Sequence, residues 1–340
     1  MIKTKRVTLK DICKAVNLSL PTVSKVLNGK ATFCSEAKVR EIKETAARLG
    51  YCRNMGYNIM TGRATNIVAI IFSQKYITHN HHINQLYMNL CSKLKERNFA
   101  SYSSVLDINM SEAEQLSQIR MLDDLGCRYY IFIGYPTAYI KLQEFVQSRS
   151  RYFICMNNDA SPRRVETDIN GAYIKYMMDF IDRGITNFRI FQGSMDEDVL
   201  PLSRVQEKYR ALVAGNIVRS PRRKGLSENP DQEFFLNGYT LMKNEISRNP
   251  GLQGGIFVSD YHAFGAAKFL LEQNITGVKL CGMNCSIAAA YAFYPVTTTK
   301  FDMNKCAELL LDNMCGTDDV EIFLNGEIIN FNVKKEGITV

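Results

Sequence analysis

Leu9, Ile12, Cys13 and Val16 recur at spacings of three and four, the period of one helical face, so residues 9–16 predict a short amphipathic helix. Thr8 stands where it can cap that helix, and Asp11 three positions on completes an approximate capping box. Asn17, Leu18 and Ser19 then break the pattern. A second helix over residues 21–27 turns Val23, Val26 and Leu27 inward and stops at Asn28-Gly29, residues that tolerate the left-handed conformation ending many helices. A third begins near Ser35-Glu36, carries Val39, Ile42, Ala46 and Leu49, and ends at Gly50. Three short helices with a tight turn between the first two predict a helix-turn-helix domain over residues 1–50, too small to be useful as an enzyme.

Beyond residue 65 the pattern changes to short apolar runs alternating with amphipathic helices. Runs at 67–72, 102–106, 129–133, 152–156, 188–191, 255–258 and 278–281 read as strands. Helices are expected over 83–97, 111–125, 171–181, 202–214, 234–245, 263–271 and 303–314. Residues 320–323 and 328–331 look like a terminal hairpin around Asn325-Gly326, a pair suited to a tight turn. Repeated strand and helix units imply parallel sheets covered on both faces. Residues 66–340 hold enough chain for two such sheets with a cleft between them, and residues 51–65 join this body to the head.

With 340 residues, 46% of them hydrophobic and 22% charged, the chain reads as an ordinary soluble protein of two or three folded units. No uninterrupted apolar stretch approaches the length a bilayer demands, and residues 1–6 run into a polar helix pattern, unlike a signal peptide. A cytoplasmic protein with no membrane partner is expected. Ten scattered cysteines without a close-spaced CxxC pair fit a reducing compartment. Charge is informative only once divided. Residues 1–63 hold thirteen Lys and Arg against four Asp and Glu, a balance of +9, and the rest hold twenty-nine against thirty, a balance of −1. The excess sits wholly in the head, where it attracts polyanions whatever their sequence.

The head runs Val7-Thr8-Leu9-Lys10-Asp11-Ile12, Val16, Ser19, Pro21-Thr22-Val23-Ser24-Lys25-Val26-Leu27-Asn28-Gly29, Val39, Ile42, Leu49-Gly50-Tyr51 and Asn54. In order and spacing these residues resemble the LacI/GalR family of bacterial transcriptional regulators. Sparser matches continue at Thr61-Gly62-Arg63, Thr167-Asp168, Gly171, Ser259-Asp260, Gly265 and Thr297-Thr298-Thr299. The resemblance implies an all-α helix-turn-helix head and an α/β periplasmic-binding-protein-like body of two parallel-sheet, Rossmann-like subdomains. It further implies a homodimer on a double-stranded DNA operator, and a small-molecule effector such as a sugar in the body's cleft.

Carried onto this chain, the family pattern puts Leu20, Pro21 and Lys25 at base-reading positions of the second helix. Lys25 can donate to guanine O6 and N7, whereas Leu20 offers apolar contact to a thymine methyl. A solvated face is the other role open to Lys25. Thr8, Thr22, Ser24 and Asn28 suit phosphate oxygens, with capping or a turn the other role open to Thr8 and Asn28. In the family the joining segment becomes a hinge helix that wedges an apolar residue into the minor groove, here Ile59 with Met60 beside it. Arg53 stands where proline is usual, Met55-Gly56-Tyr57-Asn58 replaces an alanine-rich stretch, and one residue is missing. Gly56 and Asn58 lower helix propensity, so a weak hinge helix or a plain tether is expected.

In the body, the resemblance places Asp260 after a strand as an acceptor for ligand hydroxyls, with helix capping as its other role. The arginine usual before 209–212 falls in register at Val205, with Arg204 one residue away. Ser73, Tyr76 and His79 could line the opposite side, and Asn284 could contribute an amide. His79, His81 and His82 have no acidic or thiol companions nearby, so no metal is expected. Neither a Ser-His-Asp arrangement, a glycine-rich phosphate loop nor an HExxH run supports catalysis or a cofactor. Rival readings are a repressor with no small-molecule effector and a carbohydrate-binding protein whose basic head is incidental. The final residues carry no leucine heptads, so a dimer rather than a tetramer is expected.

Overall fold

The computed structural model describes residues 7–27, 34–51, 65–73, 81–107, 109–134, 136–192, 205, 207–219, 230–284, 289 and 293–330. It divides into two compact units, Met1–Thr65 and Asn66–Val340.

The first unit contains α1 (Leu9–Val16), α2 (Leu20–Leu27) and α3 (Glu36–Arg48). The Thr8 backbone N–H and hydroxyl both donate to the Asp11 carboxylate, at 2.8 and 2.7 Å, which fixes the start of α1. Asn17 ends α1 in the left-handed region at φ 52°, and the Leu18 N–H reaches back to the Cys13 carbonyl, so the chain turns within three residues. Ser19 opens α2, its carbonyl accepting from the Val23 N–H. Pro21, in the first turn, forfeits no bond the helix needs. Ile12, Val16, Val23, Val26, Ile42 and Ala46 close a single core, each helix contributing two.

The second unit holds two sheets of six strands. The first lobe comprises β1 (Ile67–Ser73), α4 (His81–Glu96), β2 (Ala100–Leu106), α5 (Glu112–Asp124), β3 (Tyr129–Ile133), α6 (Tyr139–Ser148), β4 (Tyr152–Met156) and β5 (Arg163–Thr167). The second comprises α7 (Ile169–Asp182), β6 (Phe188–Gln192), α8 (Glu207–Asn216), β7 (Ile217–Arg219), α9 (Pro230–Arg248), β8 (Gly254–Phe257), α10 (Asp260–Glu272), β9 (Lys279–Cys281) and β10 (Val296–Lys300). The chain then returns through α11 (Met303–Asn313) and β11 (Val320–Leu324) to the first lobe and ends the described fold with β12 (Glu327–Asn330) in the second. Strand order is β11-β5-β4-β3-β1-β2 in one sheet and β12-β10-β9-β8-β6-β7 in the other. All pairings are parallel except β10 with β12.

This topology corrects the expected terminal hairpin. β11 pairs with β5 and β12 with β10, so the two segments belong to different sheets and Asn325-Gly326 is a crossover between lobes. Glycine is required there for close approach, since a Cβ on Gly326 would lie 2.1 Å from the Thr299 methyl. Four elements absent from the sequence expectation, α6, β5, β7 and β10, complete the sheets and their cover. Within residues 202–214 the described helix begins at Glu207 and runs to Asn216.

Three crossovers join the lobes: β5 to α7, β10 to α11, and β11 to β12. Each leaves its sheet at a strand's carboxyl end, so those ends of both sheets lie on the side where the lobes are joined. Apolar packing covers the rest. α4 and α11 press Leu86, Leu90, Leu94, Ala307 and Leu310 onto Val68, Ile70, Ile131 and Ile154 of the first sheet. In the second lobe α9 and α10 meet at glycines, because a Cβ on Gly265 would sit 1.8 Å from the Phe235 carbonyl oxygen and one on Gly238 1.9 Å from that of His262.

Candidate functional site

On α2, at about 100° of rotation per residue, Leu20, Ser24, Pro21 and Lys25 share one sector, with Val23 and Val26 turned the other way into the core. Leu20 is 44% exposed, and Pro21 and Lys25 are exposed with it. The three expected base-reading residues are therefore brought together on an outward face with a cation at its C-terminal end. Thr22 and Ser24 are half-buried, and the Thr22 hydroxyl lies 2.8 Å from that of Ser19. Thr8 is exposed while bound to Asp11. Asn28, Ile59 and Met60 lie outside the described residues. A groove of about 540 Å³ on α3 is lined by Ala37, Arg40, Glu41, Glu44, Thr45 and Arg48. Its two acids offset its two arginines, so it offers no counterpart to a polyanion.

In the body the strand ends carry the polar groups. Ser73 closes β1 and is buried. Asp260 follows β8 and is 1% exposed, its carboxylate accepting a 2.6 Å bond from the Thr298 hydroxyl on β10. Ser259 takes the N-cap position of α10 and leaves Asp260 in the first helical turn. Asn284 follows β9 with φ 83°, and its backbone N–H donates to the Thr299 carbonyl. Asp260 and Asn284 are thus gathered around β10, whose Thr298 and Thr299 bind both. Tyr76, His79 and Arg204 lie outside the described residues, and Val205 is core beside Ile190 and Val213.

Three polar residues at these strand ends had no signal in the sequence. His262 is buried, stacks on Phe234 at 4.9 Å between ring centroids and places Nδ1 2.8 Å from the Ser259 hydroxyl. Burial pulls its imidazole down to about 3, so it is neutral at ordinary pH. Tyr176, on α7 after the first crossover, donates to the Gly282 carbonyl at 2.8 Å and accepts from the Thr299 hydroxyl at 2.6 Å. Nearby, Lys175 donates to the Gly326 carbonyl and the Asp168 N–H to that of Leu324, so the start of α7 is tied to the β11-to-β12 crossover. Gln192 ends β6, is wholly buried, and among the described residues has no hydrogen-bond partner for either amide atom. An unsatisfied buried polar atom costs about 1–3 kcal/mol, which sets Gln192 apart from its paired neighbours.

Two Rossmann-like lobes with three crossovers, preceded by a three-helix unit, define a periplasmic-binding-protein-like body carrying a helical head. No family model and no curated protein sequence matches the chain. Solved structures do. A lac repressor dimer bound to operator and an anti-inducer superposes with a TM-score of 0.69 at 16% identity, over 96% of this chain and 98% of that one. A transcriptional regulator CelR–cellobiose complex gives 0.61 at 18% identity over 95% and 98%. The Escherichia coli transcriptional repressor AscG gives 0.61 at 15% over 78% and 97%. The chain therefore has the lac-repressor-like fold that the resemblance implied.

Proposed function

We propose that the chain is a sequence-specific DNA-binding transcriptional regulator, a repressor acting as a cytoplasmic homodimer whose operator affinity is set by a small-molecule effector such as a sugar. The observation that carries the reading is the outward face of α2, where Leu20, Pro21 and Lys25 project from a unit holding the chain's whole charge excess. A face of that kind enters the major groove with its N-terminal end toward base edges. Thr8, Thr22, Ser24 and Asn28 hold phosphates, and Ile59 with Met60 wedges the minor groove. The similar structures support both arms, since one is a repressor dimer on operator and another a regulator holding cellobiose.

Dimer formation has surface to draw on. β2 is the outer strand of the first sheet and exposes Tyr102 and Val105, with Met88 on α4 and Met121 on α5 also exposed. On the second lobe Phe293 is 95% exposed, and Leu236 on α9 is exposed too. A second copy covers such apolar groups. Ser73, Tyr76, His79, Arg204, Asp260 and Asn284 are the proposed effector contacts; of the described ones, Ser73, Asp260 and Asn284 stand at or just after carboxyl strand ends, where open α/β sheets hold ligands. Closure of the lobes on effector moves the three crossovers and changes DNA affinity by a coupling of about 1–3 kcal/mol. No turnover is needed, only a shift between two conformations. Among the described residues no helix is long and apolar enough to cross a membrane.

Fluorescence anisotropy against genomic fragments tests the reading at physiological salt. A selected operator is expected to bind well above random DNA, and Lys25→Ala to lose about 1–3 kcal/mol of discrimination at one operator position. Equal loss on every sequence reassigns Lys25 to phosphate, and failure of the wild type to discriminate any fragment refutes the regulator.

A further inference from the structure

The second lobe's strand ends spend almost all their polar groups on one another. Asp260 is taken by Thr298, Thr299 by Tyr176, and the Gly282 carbonyl by the same tyrosine. Arg189, on the same strand as Gln192, is paired with Glu245 at 2.9 Å. Gln192 is the exception. It is 0% exposed, and among the described residues neither its carbonyl oxygen nor its amide nitrogen has a partner. By the alternation of the strand it shares a face with Phe188 and Ile190, whose cluster contains Val205 and Met283 and supplies no hydrogen-bonding group of its own to the amide. Its place is the carboxyl end of a parallel strand, on the side where the lobes are joined.

We infer that Gln192 is a specificity-determining contact of the effector, reading an uncharged polyol through two adjacent hydroxyls, one donating to its carbonyl and the other accepting from its amide. This rests on the effector reading above and narrows it. A primary amide offers one acceptor and one donor side by side and no charge. Two neighbouring sugar hydroxyls match that pair, and each hydroxyl can serve as donor or acceptor. A phosphate or carboxylate satisfies only the N–H half and leaves the carbonyl facing an anion. Neither amide atom is paired among the described residues, so a ligand that pairs both gains more than one replacing existing bonds. A site built around such a group also discriminates against analogues lacking either hydroxyl.

Full-length wild type, Gln192→Met and Gln192→Asn are compared by thermal melting and by titration with cellobiose, glucose, galactose and ribose, and with glucose 6-phosphate and gluconate as anions. At least one neutral sugar is expected to raise the wild-type Tm. Gln192→Met is expected to melt no lower than wild type without ligand and to bind that sugar at least about tenfold more weakly, with Gln192→Asn between the two. The inference falls if Gln192→Met keeps the wild-type affinity, or if its ligand-free Tm drops, which places the amide's partners inside the protein. It falls equally if no neutral sugar binds or only the anions do. Operator binding measured on the same proteins separates the two readings: a chain that ignores operator yet binds sugar through Gln192 loses the regulator and keeps this contact.

Discussion

Position for position, the first lobe's strand order β11-β5-β4-β3-β1-β2 repeats in the second as β12-β10-β9-β8-β6-β7, down to an outermost strand that is parallel in one and antiparallel in the other. The interiors differ. The first lobe is tied by charged groups: Arg163 donates to the carbonyls of Phe153 at 3.0 Å, Asn313 at 2.6 Å and Asp318, and Asp123 holds Arg151 at 2.7 Å and Arg149 at 3.3 Å. The second keeps one such pair, Arg189 with Glu245 at 2.9 Å. Its strand ends, however, are joined through hydroxyls, one of them on the Asp260 carboxylate, a neutral imidazole sits beside them, and two glycines let α9 touch α10. One wiring diagram thus accepts two kinds of interior. The lobe whose strand ends are joined through hydroxyls is the one that leaves an amide unspent there.

The largest expected effect tests the charged lobe. Arg163 is 3% exposed and fastens β4 to the turn between α11 and β11. Arg163→Met removes three charge-assisted bonds and strands three carbonyls, for a loss of about 3–5 kcal/mol in urea unfolding followed by circular dichroism. Arg163→Lys should recover part of it. A loss under about 1 kcal/mol from the methionine variant breaks the contrast between the lobes.

Acid tests the other interior. The His262 imidazole, held by burial at about 3, is neutral in both folded and unfolded chains at neutral pH and contributes no pH dependence there. Below about 6.5 the unfolded chain takes up a proton that the folded one refuses, so stability falls with pH by up to about 1.4 kcal/mol per unit. Between about pH 6.5 and 5, before carboxylates titrate, melting temperature should fall in wild type and stay flatter in His262→Gln. An identical slope in both proteins removes His262 as the cause.

The same contrast explains which parts were legible in the sequence. β1, β3 and β4 are buried on both faces and read as continuous apolar runs, and the head's helices announce themselves by spacing. β5 reads Arg163-Arg164-Val165-Glu166-Thr167 and β10 reads Val296-Thr297-Thr298-Thr299-Lys300. Arg163 and Thr298 are buried against partners more than thirty positions away, Asp318 and Asp260, which no local pattern reveals. Asn325-Gly326 carried a true signal for a tight place, but the tightness comes from β10 and not from a hairpin. Leu20, Pro21 and Lys25 could be placed because an eight-residue helix sets their common face. Gln192 could not: its significance lies in the absence of a partner, which only the assembled lobe displays.

The smallest effect concerns the tie between crossovers. Tyr176 is 1% exposed and joins α7, which follows the first crossover, to Thr299, which precedes the second. Tyr176→Phe keeps the ring and opens no large cavity, but removes both the bond to the Gly282 carbonyl and the one from Thr299. A loss of about 1–2 kcal/mol is expected, because the Thr299 hydroxyl can turn toward another acceptor while the carbonyl cannot. If this hydroxyl helps transmit lobe closure, the variant should bind effector with near wild-type affinity yet change operator affinity less when effector is added. Anisotropy titrations with and without effector read that coupling directly. Unchanged coupling, with the stability loss present, makes Tyr176 a fastening of the second lobe alone and leaves the transmission to Lys175 and Asp168, which hold α7 to the third crossover.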